Sequence, residues 1–333
     1  MKRPISNVGI CMEQGRPRPG FSGLGAGRLQ SRLSLYIKNK NITTDTDIGV
    51  IMIKIQFLGT AAAEGWPGVF CECRYCRKAR RFGGKNLRTR SSALIDGIYK
   101  IDLPADTYWH TQKYGINLAE VEHLFVTHSH NDHYYPVELM HRSKPFAHFA
   151  GKRELTVYGS KYLYEYTLDK LGRNIFGADL KFQALEPFKK IRAGEMRVTP
   201  IKADHDPNEL CFNFIIEYKG RVLLHGHDTG WYPEETWEVL KDYKFDAIWM
   251  DCTNGKLDQV LGHIEDGKYH LGVRGVLKTR EKLAAIGSLN KNCVFIATHF
   301  SHNCGLLHKD FEKIFGQAGI KTAYDGMVVK IAG

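Results

Sequence analysis

The sequence predicts a layered α/β fold, and two observations predict it. Short strand patterns alternate with helical patterns from residue 52 to the end of the chain, and helices between strands favour sheets covered by helices over a pure β-sandwich. No Gly-x-Gly-x-x-Gly run or Walker-type loop stands between a strand pattern and a helix pattern. The α/β folds that bind nucleotide cofactors therefore lose support.

Strand patterns are apolar runs, alternating or continuous, bounded by turn residues. They are predicted at 52–58, 93–96, 98–102, 123–127, 155–158, 196–201, 211–217, 221–225, 245–250, 293–297 and 327–331. Two dipeptides, Asp96-Gly97 and Lys219-Gly220, are predicted to turn hairpins. Helices are predicted at 74–81, 134–141, 161–171, 233–241, 272–286 and 307–316.

The first 51 residues are expected to lie outside this fold. Gly, Arg, Ser, Asn and Thr dominate them, and neither helix nor strand periodicity persists. That composition is typical of a disordered extension. The predicted division is therefore an N-terminal extension over residues 1–51 and one folded domain over residues 52–333.

Composition and charge exclude several classes of protein. The chain is 43% hydrophobic and 25% charged, as globular proteins are, and its apolar runs are too short to cross a bilayer. No apolar segment follows Met1-Lys2-Arg3, so we expect a cytoplasmic protein without a membrane partner. Residues 1–51 hold eight Lys and Arg against three Asp and Glu, which leaves +6 of the +11 net charge for the rest. That balance suits a small acidic substrate and makes nucleic acid a less favoured partner.

The strongest functional motif is Thr127-His128-Ser129-His130-Asn131-Asp132-His133, which directly follows a predicted strand. Side chains two residues apart share one face of extended chain, so His128 and His130 can converge on one metal ion. Asp132 and His133 then face a second position. Imidazole suits Zn, Fe or Mn, and carboxylate adds affinity for harder ions. The run therefore predicts a metal site.

This run resembles the His-x-His-x-Asp-His signature of the metallo-β-lactamase superfamily. The resemblance implies an αββα sandwich, in which two mixed sheets are flanked by helices, with a dinuclear metal site at one edge. It also implies three further ligands, each after its own strand, and His205, Asp228 and His299 match them. His227 departs from the family pattern, and we expect it either to support the ligands or to lie at the surface.

The ligands that the resemblance implies divide into two sets. The first set is His128, His130 and His205, the second is Asp132, His133 and His299, and Asp228 bridges them. Two divalent ions ~3.5–4 Å apart lower the pKa of a bridging water and clamp the attacked and leaving oxygens. The resulting hydroxide needs no nucleophilic side chain, and Asp132 is a candidate catalytic residue because it can orient that hydroxide.

A second motif, Cys71-x-Cys73-x-x-Cys76, follows the first predicted strand. A tight cysteine cluster in a cytosolic chain more often binds metal than forms disulfides. Three thiolates can hold a tetrahedral Zn but leave one corner open. His302, three residues after His299, can close that corner, and Cys304 is the rival fourth ligand.

The match is closer to one branch of the superfamily, because several segments resemble the PhnP-type cyclic-phosphate phosphodiesterases of the carbon–phosphorus lyase pathway. These segments are 57–76, 128–133, 251–253, 298–302 and 324–327. The resemblance spans about residues 53–331 and implies that Cys71, Cys73, Cys76 and His302 hold a structural Zn. It also implies a histidine that protonates the leaving oxygen. His270 matches that catalytic role best and His263 competes with it; an imidazole suits a general acid near neutral pH.

The leading hypothesis is a metal-dependent phosphodiesterase with two Zn or Mn ions at the active site and one structural Zn, acting on a small cyclic phosphodiester. The second is a tRNA 3′-processing endoribonuclease of the same fold, although such enzymes normally lack the cysteine cluster and carry a protruding arm. A non-hydrolytic pyrroloquinoline-quinone biosynthesis protein shares the cysteine cluster but departs at the histidine run. A lactonase or thioesterase stays open because a dinuclear centre also attacks carbonyls. A homodimer stays open as the oligomeric state.

Overall fold

A computed structural model of the chain describes residues 52–151, 153–175, 177–257 and 268–332. The expected N-terminal extension and His263 lie outside the described residues. The strands are β1 (Met52–Gly59), β2 (Ser92–Ile95), β3 (Tyr99–Ile101), β4 (His123–Phe125), β5 (Leu155–Gly159), β6 (Leu180–Ala184), β7 (Ile191–Ala193), β8 (Met196–Lys202), β9 (Phe212–Tyr218), β10 (Arg221–Gly226), β11 (Phe245–Asp251), β12 (Leu289–Thr298), β13 (Lys321–Thr322) and β14 (Val328–Ala332).

These strands form two mixed sheets of seven strands each. The first sheet has the order β14-β1-β2-β3-β4-β5-β6, and the second has the order β13-β12-β11-β10-β9-β8-β7. The first sheet is antiparallel from β14 to β3 and parallel from β3 to β6. In the second sheet β8, β10, β11 and β12 run in one direction. The loops after these strands therefore reach the same edge.

Helices cover the outer face of each sheet. Their bounds are α1 (Arg74–Phe82), α2 (Thr107–Tyr114), α3 (Val137–Met140), α4 (Lys161–Leu171), α5 (Glu234–Leu240), α6 (Val273–Ala285) and α7 (His308–Gln317). None of these described helices is both long enough and apolar enough to span a membrane.

The alternation of side chains along each strand builds three apolar layers. On β11, Ala247 and Trp249 join the core between the two sheets, while Ile248 and Met250 join the core under α5, α6 and α7. A third core, with Leu124 at its centre, lies between the first sheet and α4. Successive side chains of a strand point to opposite faces, so each strand supplies two layers. The predicted αββα arrangement is confirmed.

The predicted strands are confirmed, with ends that differ by a few residues, and so are both hairpin turns. The central residues of each turn have positive φ, at 49° and 78° for Asp96 and Gly97 and at 47° and 73° for Lys219 and Gly220. Two consecutive positive φ values are the mark of a type I′ turn.

Five elements differ from the predicted ones, and each difference has a physical cause. The helix predicted at 134–141 begins only at Val137, because Tyr134 bridges Leu103 and Pro136 precedes the first turn. Helix α2 was not predicted, since it buries Thr107 and His110 rather than an apolar stripe. Strands β6, β7 and β13 were also not predicted, because β6 is only half-buried and the other two are three and two residues long.

Lys100 is a charged residue inside the helical side of the first sheet. Its neighbours Tyr99 and Ile101 lie in the core between the sheets, so Lys100 faces the opposite layer, with only 2% of its surface exposed. Its Nζ donates a hydrogen bond to Ser92 Oγ. Burial lowers the pKa of Lys100 from its usual 10.5 to about 7, although the nearby Asp102 charge acts in the opposite direction.

We expect Lys100→Met to raise the free energy of unfolding by about 2–4 kcal/mol near pH 7, because one pKa unit corresponds to about 1.4 kcal/mol. The folded-state pKa lies below the unfolded-state value, so between the two the unfolded state binds more protons and wild-type stability rises with pH. The advantage of the variant should therefore shrink towards pH 10. Urea unfolding at both pH values measures this, with exposed Lys330→Met as the control. A variant less stable than wild type at pH 7 would contradict the prediction.

Candidate metal centre

The candidate centre forms where loops after four strands meet at one edge of the two sheets. The histidine run follows β4, and the three remaining predicted ligands follow β8, β10 and β12, in that order: His205, Asp228 and His299. Asp228 and His299 have φ values of 45° and 59°. Residues with side chains rarely adopt this left-handed conformation, and such strain concentrates at functional sites.

The first predicted ligand set comes together in the structure. Each of His128, His130 and His205 offers a ring nitrogen, and these nitrogens lie within 4.8 Å of one another. The shortest separation is 3.1 Å, between His205 Nε2 and His130 Nδ1. His128 and His205 are buried, whereas His130 is exposed, so the set lies where the centre opens to solvent.

The second predicted set is fully buried. Asp132, His133, Asp228 and His299 each offer a ligand atom within 4.8 Å of the others. His133 Nε2 lies 3.1 Å from His299 Nε2 and 3.3 Å from an Asp132 carboxylate oxygen. Two nitrogens of a tetrahedral Zn site, with bonds of 2.0–2.1 Å, lie about 3.3 Å apart. The spacing of these atoms therefore fits one divalent ion.

Asp228 contacts both sets. Its Oδ2 lies 3.2 Å from His133 Nε2, 3.5 Å from His205 Nε2 and 3.8 Å from His128 Nε2. Its Oδ1 lies 2.8 Å from His299 Nε2. Oδ2 therefore lies between the two sets and Oδ1 faces the second set, so this carboxylate reaches both positions, as the bridging role requires.

His128 gives an independent test of whether these residues fit a metal. Its Nε2 is buried, and no described residue hydrogen-bonds it. A buried polar nitrogen without a partner costs about 1–3 kcal/mol, and native structures usually satisfy such atoms. Burial lowers the pKa of His128 well below its usual 6.5, so its ring is neutral and can ligate a cation.

The opposite ring nitrogens of the predicted ligands are held in place by groups that sequence reasoning missed. In the second set, His133 Nδ1 lies 2.6 Å from Asp102 Oδ2 and His299 Nδ1 lies 2.7 Å from Thr253 Oγ1. In the first set, His205 Nδ1 donates to Tyr269 O at 3.1 Å, and His130 Nε2 lies 3.0 Å from Asp206 Oδ2. Such partners fix the tautomer and orientation of metal-ligating histidines. Asp102 had one readable signal, because it is an acidic residue directly after a strand.

Buried carboxylates make the centre attract positive charge. Burial alone would raise the pKa of Asp228, but the His133 and His299 charges hold that pKa well below its usual range. Burial acts to lower the pKa of His299, yet the Asp228 charge and the hydrogen bonds that His299 donates to Asp132 and Asp228 raise it to about 10. Protons or a divalent cation can supply the charge these carboxylates require, so metal binding competes with protonation.

The cysteine motif and His302 also come together. Ligand atoms of Cys71, Cys73, Cys76 and His302 lie within 4.8 Å of one another. His302 Nδ1 is 3.6 Å from Cys73 Sγ and 3.8 Å from Cys71 Sγ, and a tetrahedral Zn site with these ligands places S and N about 3.6 Å apart. The rival ligand Cys304 lies outside this group, because its Sγ donates to Leu306 O.

Backbone amides donate hydrogen bonds to all three cysteine sulfurs, and at Cys73 they favour the thiolate. Gly68 N donates to Cys76 Sγ at 3.3 Å, Cys73 N to Cys71 Sγ at 3.4 Å, and Cys76 N to Cys73 Sγ at 3.3 Å. Burial acts to raise the pKa of Cys73, but hydrogen bonds led by that from Cys76 N lower it to about 6. Glu64 Oε1 lies 3.5 Å from His302 Nε2, an arrangement typical of histidines that bind zinc.

His270 lies beside the second ligand set, next to Asp251. Its Nδ1 lies 2.7 Å from Asp251 Oδ2, and its ring stacks on that of His299 with centroids 5.8 Å apart. Burial acts to lower the pKa of His270, but the Asp251 charge and hydrogen bond raise it above 6.5. Segment 251–253 was noted in the sequence for its resemblance to the PhnP-type enzymes, but the contact of Asp251 with His270 was not predicted.

His227 is fully buried, so the expectation that it might lie at the surface is wrong. Its ring packs between His225 and His299, with centroids 4.3 Å and 5.8 Å away. No described residue hydrogen-bonds either of its ring nitrogens. The structure shows its packing beneath a ligand but gives no reason for a polar ring there.

The family model described as a Beta-lactamase superfamily domain matches residues 95–300, which is more than half of the chain. The chain belongs to this family. With the fold and the histidine–aspartate cluster, membership makes it a metallo-β-lactamase-superfamily hydrolase that depends on metal and resembles PhnP.

Solved structures share the fold at low sequence identity. A diphosphatase from the PhnP family is 20% identical with a TM-score of 0.65, over 85% of this chain and 99% of that one. Zn-bound PqqB from Methylobacterium extorquens is 17% identical with a TM-score of 0.64, over 83% and 99%. Short-form human tRNase Z is 17% identical with a TM-score of 0.58, over 84% and 100%.

A curated relative differs in length from this chain. An octanoyltransferase from Porphyromonas gingivalis is 23% identical over 278 residues, which are 81% of this chain. The chain spans 50% of that relative's length, so the activity of the whole relative does not transfer to this chain.

We expect Cys73→Ser to lower both bound zinc and stability, because an alcohol is a poor zinc ligand and the site contributes folding energy when metal binds. Elemental analysis should show about one zinc fewer per chain, and the melting temperature should fall. Cys293→Ser, at a cysteine outside the cluster, is the control. Unchanged zinc content in Cys73→Ser would contradict a metal role for the motif.

Proposed function

We propose that the protein is a metal-dependent phosphodiesterase acting on a small cyclic phosphodiester. The observation that carries the proposal is the His270–Asp251 pair beside the metal ligands. A nitrogen of His270 and a carboxylate oxygen of Asp228 lie within 4.8 Å of each other. An acid at this position suits an ester whose leaving group is an alcohol.

The two ligand sets would each hold one divalent ion, Zn or Mn, with Asp228 between them. When bound, such ions lower the pKa of water and neutralise charge on phosphoryl oxygens. Asp132 contributes a carboxylate oxygen beside His133 and His299, 3.3 Å and 3.7 Å from their Nε2 atoms. That carboxylate can accept a proton or orient a water, which is its proposed catalytic role.

Asp251 positions His270 as a proton donor. Thr253 donates to Asp251 Oδ1 through its backbone N at 2.7 Å and its Oγ1 at 2.8 Å, so the carboxylate is anchored and accepts from His270 Nδ1. The second ring nitrogen, Nε2, then holds the proton to be given to the leaving oxygen. An alkoxide is a poor leaving group unless it is protonated. A thiol has a far lower pKa than an alcohol, so a thiolate leaves with less need for a proton donor. The pair therefore favours an oxygen ester over a thioester.

A cavity of about 640 Å³ opens beside His130 and Asp132. Its other lining residues are Ala63, Arg90, Ala105, Ser129, Asn131, Tyr135 and Tyr166. Arg90 supplies a cation that one acidic partner, Asp106, pairs at 3.1 Å. A pocket of this size accommodates a small molecule, and a guanidinium with two tyrosines suits a phosphorylated sugar.

A substrate panel with metal-reconstituted enzyme tests this proposal. It compares bis-p-nitrophenyl phosphate, 2′,3′-cyclic nucleotides, a ribosyl cyclic phosphate, precursor tRNA, lactones and acyl thioesters. We expect turnover of the cyclic phosphodiesters, lost in chelator and restored by Zn or Mn. Cleavage of precursor tRNA alone would support the endoribonuclease alternative, and turnover of lactones or thioesters without any phosphodiester would overturn the proposal. No turnover of any kind would favour the non-hydrolytic alternative.

We expect His270→Ala to lower kcat on a cyclic alkyl phosphodiester by about 10²–10⁴-fold, which is the usual contribution of a general acid. The loss on bis-p-nitrophenyl phosphate should be smaller, since p-nitrophenolate leaves without protonation. Active-site metal content should not change. His141→Ala, at an exposed histidine, is the control. An equal loss on both substrates, or full activity, would contradict the acid role and leave His263 or water to protonate the leaving group.

A further inference from the structure

The basic charge of the described domain is concentrated in one short segment. Residues 74–90 contain eight Lys and Arg and no Asp or Glu, in a chain whose net charge is +11. We propose that the outer face of α1 binds single-stranded nucleic acid and that the small cyclic phosphodiester cleaved at the metal centre is the terminal cyclic phosphate of an oligonucleotide. This inference rests on the proposed phosphodiesterase function.

Four of these cations form a stripe along α1. Arg74, Arg77, Lys78 and Arg81 fall within a single arc of the helix, because residues three, four and seven apart share a face. The buried residues of α1 are Cys76 and Ala79, on the opposite side. The stripe therefore faces away from the protein, along a helix about 13 Å long.

No carboxylate of the described residues lies within ion-pairing distance of these cations. Among the basic residues of the segment, Lys85 pairs with Glu312 and Arg90 pairs with Asp106. Arg77 and Arg80 donate instead to backbone carbonyls of the cysteine loop. The positive charge of the stripe is thus not neutralised within the described protein.

This arrangement is unfavourable for the helix itself. Like charges three or four residues apart destabilise a helix, and Arg74 and Arg77 lie at the positive N-terminal end of the helix dipole. Three thiolates and one Zn²⁺ sum to a single negative charge, so the adjacent cysteine site offsets few of these cations. A polyanionic partner removes the repulsion around Arg74 and Arg77, whereas Arg81 lies in the last turn, where the helix dipole favours a cation.

Exposed apolar side chains flank the stripe. Phe70 is 100% exposed just before α1, and Phe82, its last residue, is 59% exposed. The Arg81 guanidinium lies 6.0 Å from the Phe82 ring. Aromatic rings beside Arg and Lys are the features on which single-stranded bases stack while cations contact the phosphates.

The stripe connects to the metal centre through short contacts. Cys73, which caps α1, lies 3.6 Å from His302 Nδ1 through its Sγ, and His302 is three residues from His299. Three extended residues span at most about 11 Å. At the other end of the segment, Arg90 lines the cavity beside His130. The N-terminus of α1 therefore lies close to the loop that carries His299, and an oligonucleotide bound along α1 has its end near the metal centre in our proposal.

Nucleic acid fits these observations better than other polyanions. The adjacent centre is proposed to cleave phosphodiesters, which an acidic protein lacks. A membrane surface would bring many headgroups but no base to stack between Phe70 and Phe82. Acidic protein and anionic membrane are accordingly alternative outcomes of the test.

The test is binding of a fluorescein-labelled single-stranded RNA of about 16 nucleotides, the upper site size of a single-strand-binding fold, measured by anisotropy. The triple variant Arg74→Glu, Lys78→Glu, Arg81→Glu is compared with wild type between about 50 and 200 mM salt. A triple variant at three exposed strand lysines, Lys291→Glu, Lys321→Glu, Lys330→Glu, makes the same change in net charge. Phe70→Ser, Phe82→Ser tests stacking without changing charge.

We expect the α1 charge variant to bind at least tenfold more weakly and to lose about 2 from the slope of log affinity against log salt, at about 0.7 per phosphate contact. The strand control should keep both affinity and slope. The phenylalanine variant should bind about fivefold more weakly with its slope unchanged. We also compare kcat/KM for a cyclic-phosphate-terminated oligonucleotide with kcat/KM for bis-p-nitrophenyl phosphate. The ratio of the first to the second should fall in the α1 charge variant and in the phenylalanine variant, and it should not change in the strand control.

Equal RNA affinity in wild type and the α1 charge variant would overturn the inference. So would binding of polyglutamate or phosphatidylserine vesicles through α1 without binding of RNA. Wild type that hydrolyses bis-p-nitrophenyl phosphate but does not bind RNA would refute this inference and leave the proposed function standing. Wild type that binds RNA through α1 and hydrolyses no phosphodiester would refute the proposed function and, with it, the oligonucleotide substrate.

Discussion

A buried carboxylate among imidazoles is the interaction on which the rest of this structure depends. Asp228 has lost nearly all contact with water, and its oxygens lie within 4 Å of ring nitrogens from both ligand sets. An isolated charge in such a place would cost many kcal/mol. Only positive charge in the same space makes it tolerable, and the four surrounding histidines are arranged to share that space with a cation.

The fold brings these groups into contact with one another. Two sheets with a common core bring the ends of β4, β8, β10 and β12 to one edge, and positive φ at Asp228 and His299 turns each side chain inward. A further layer of partners then fixes each ring, with Asp102 holding His133 and Thr253 holding His299. The same Thr253 also anchors Asp251, which orients His270. The metal ligands and the proposed proton donor are therefore positioned by one hydrogen-bond network.

The sequence predicted most of the fold, and it indicated all seven candidate ligands because the His-x-His-x-Asp-His run resembles a known signature and His205, Asp228 and His299 each follow a strand. It did not predict the roles of Asp102, Asp251 and Thr253, because neither a place after a strand nor a resemblance of segment 251–253 says which histidine each residue holds. The resemblance favoured His302 over Cys304 as the fourth zinc ligand, and in the structure the turn at 302–304 directs the sulfur of Cys304 to Leu306. The basic face of α1 was missed for a different reason. The net charge of residues 52–333 is only +6, but it combines +8 within residues 74–90 with −2 over the rest of the domain.

The central claim is that Asp228 lies between two metal ions, each held by its own set of side chains. Anomalous diffraction from crystals of the metal-loaded protein, collected on both sides of the absorption edge, tests it most directly. The account predicts two separate peaks at this centre, one bounded by His128, His130 and His205 and the other by Asp132, His133 and His299, with an Asp228 oxygen on each. A single peak, or metal bound only at the cysteine cluster, would contradict it.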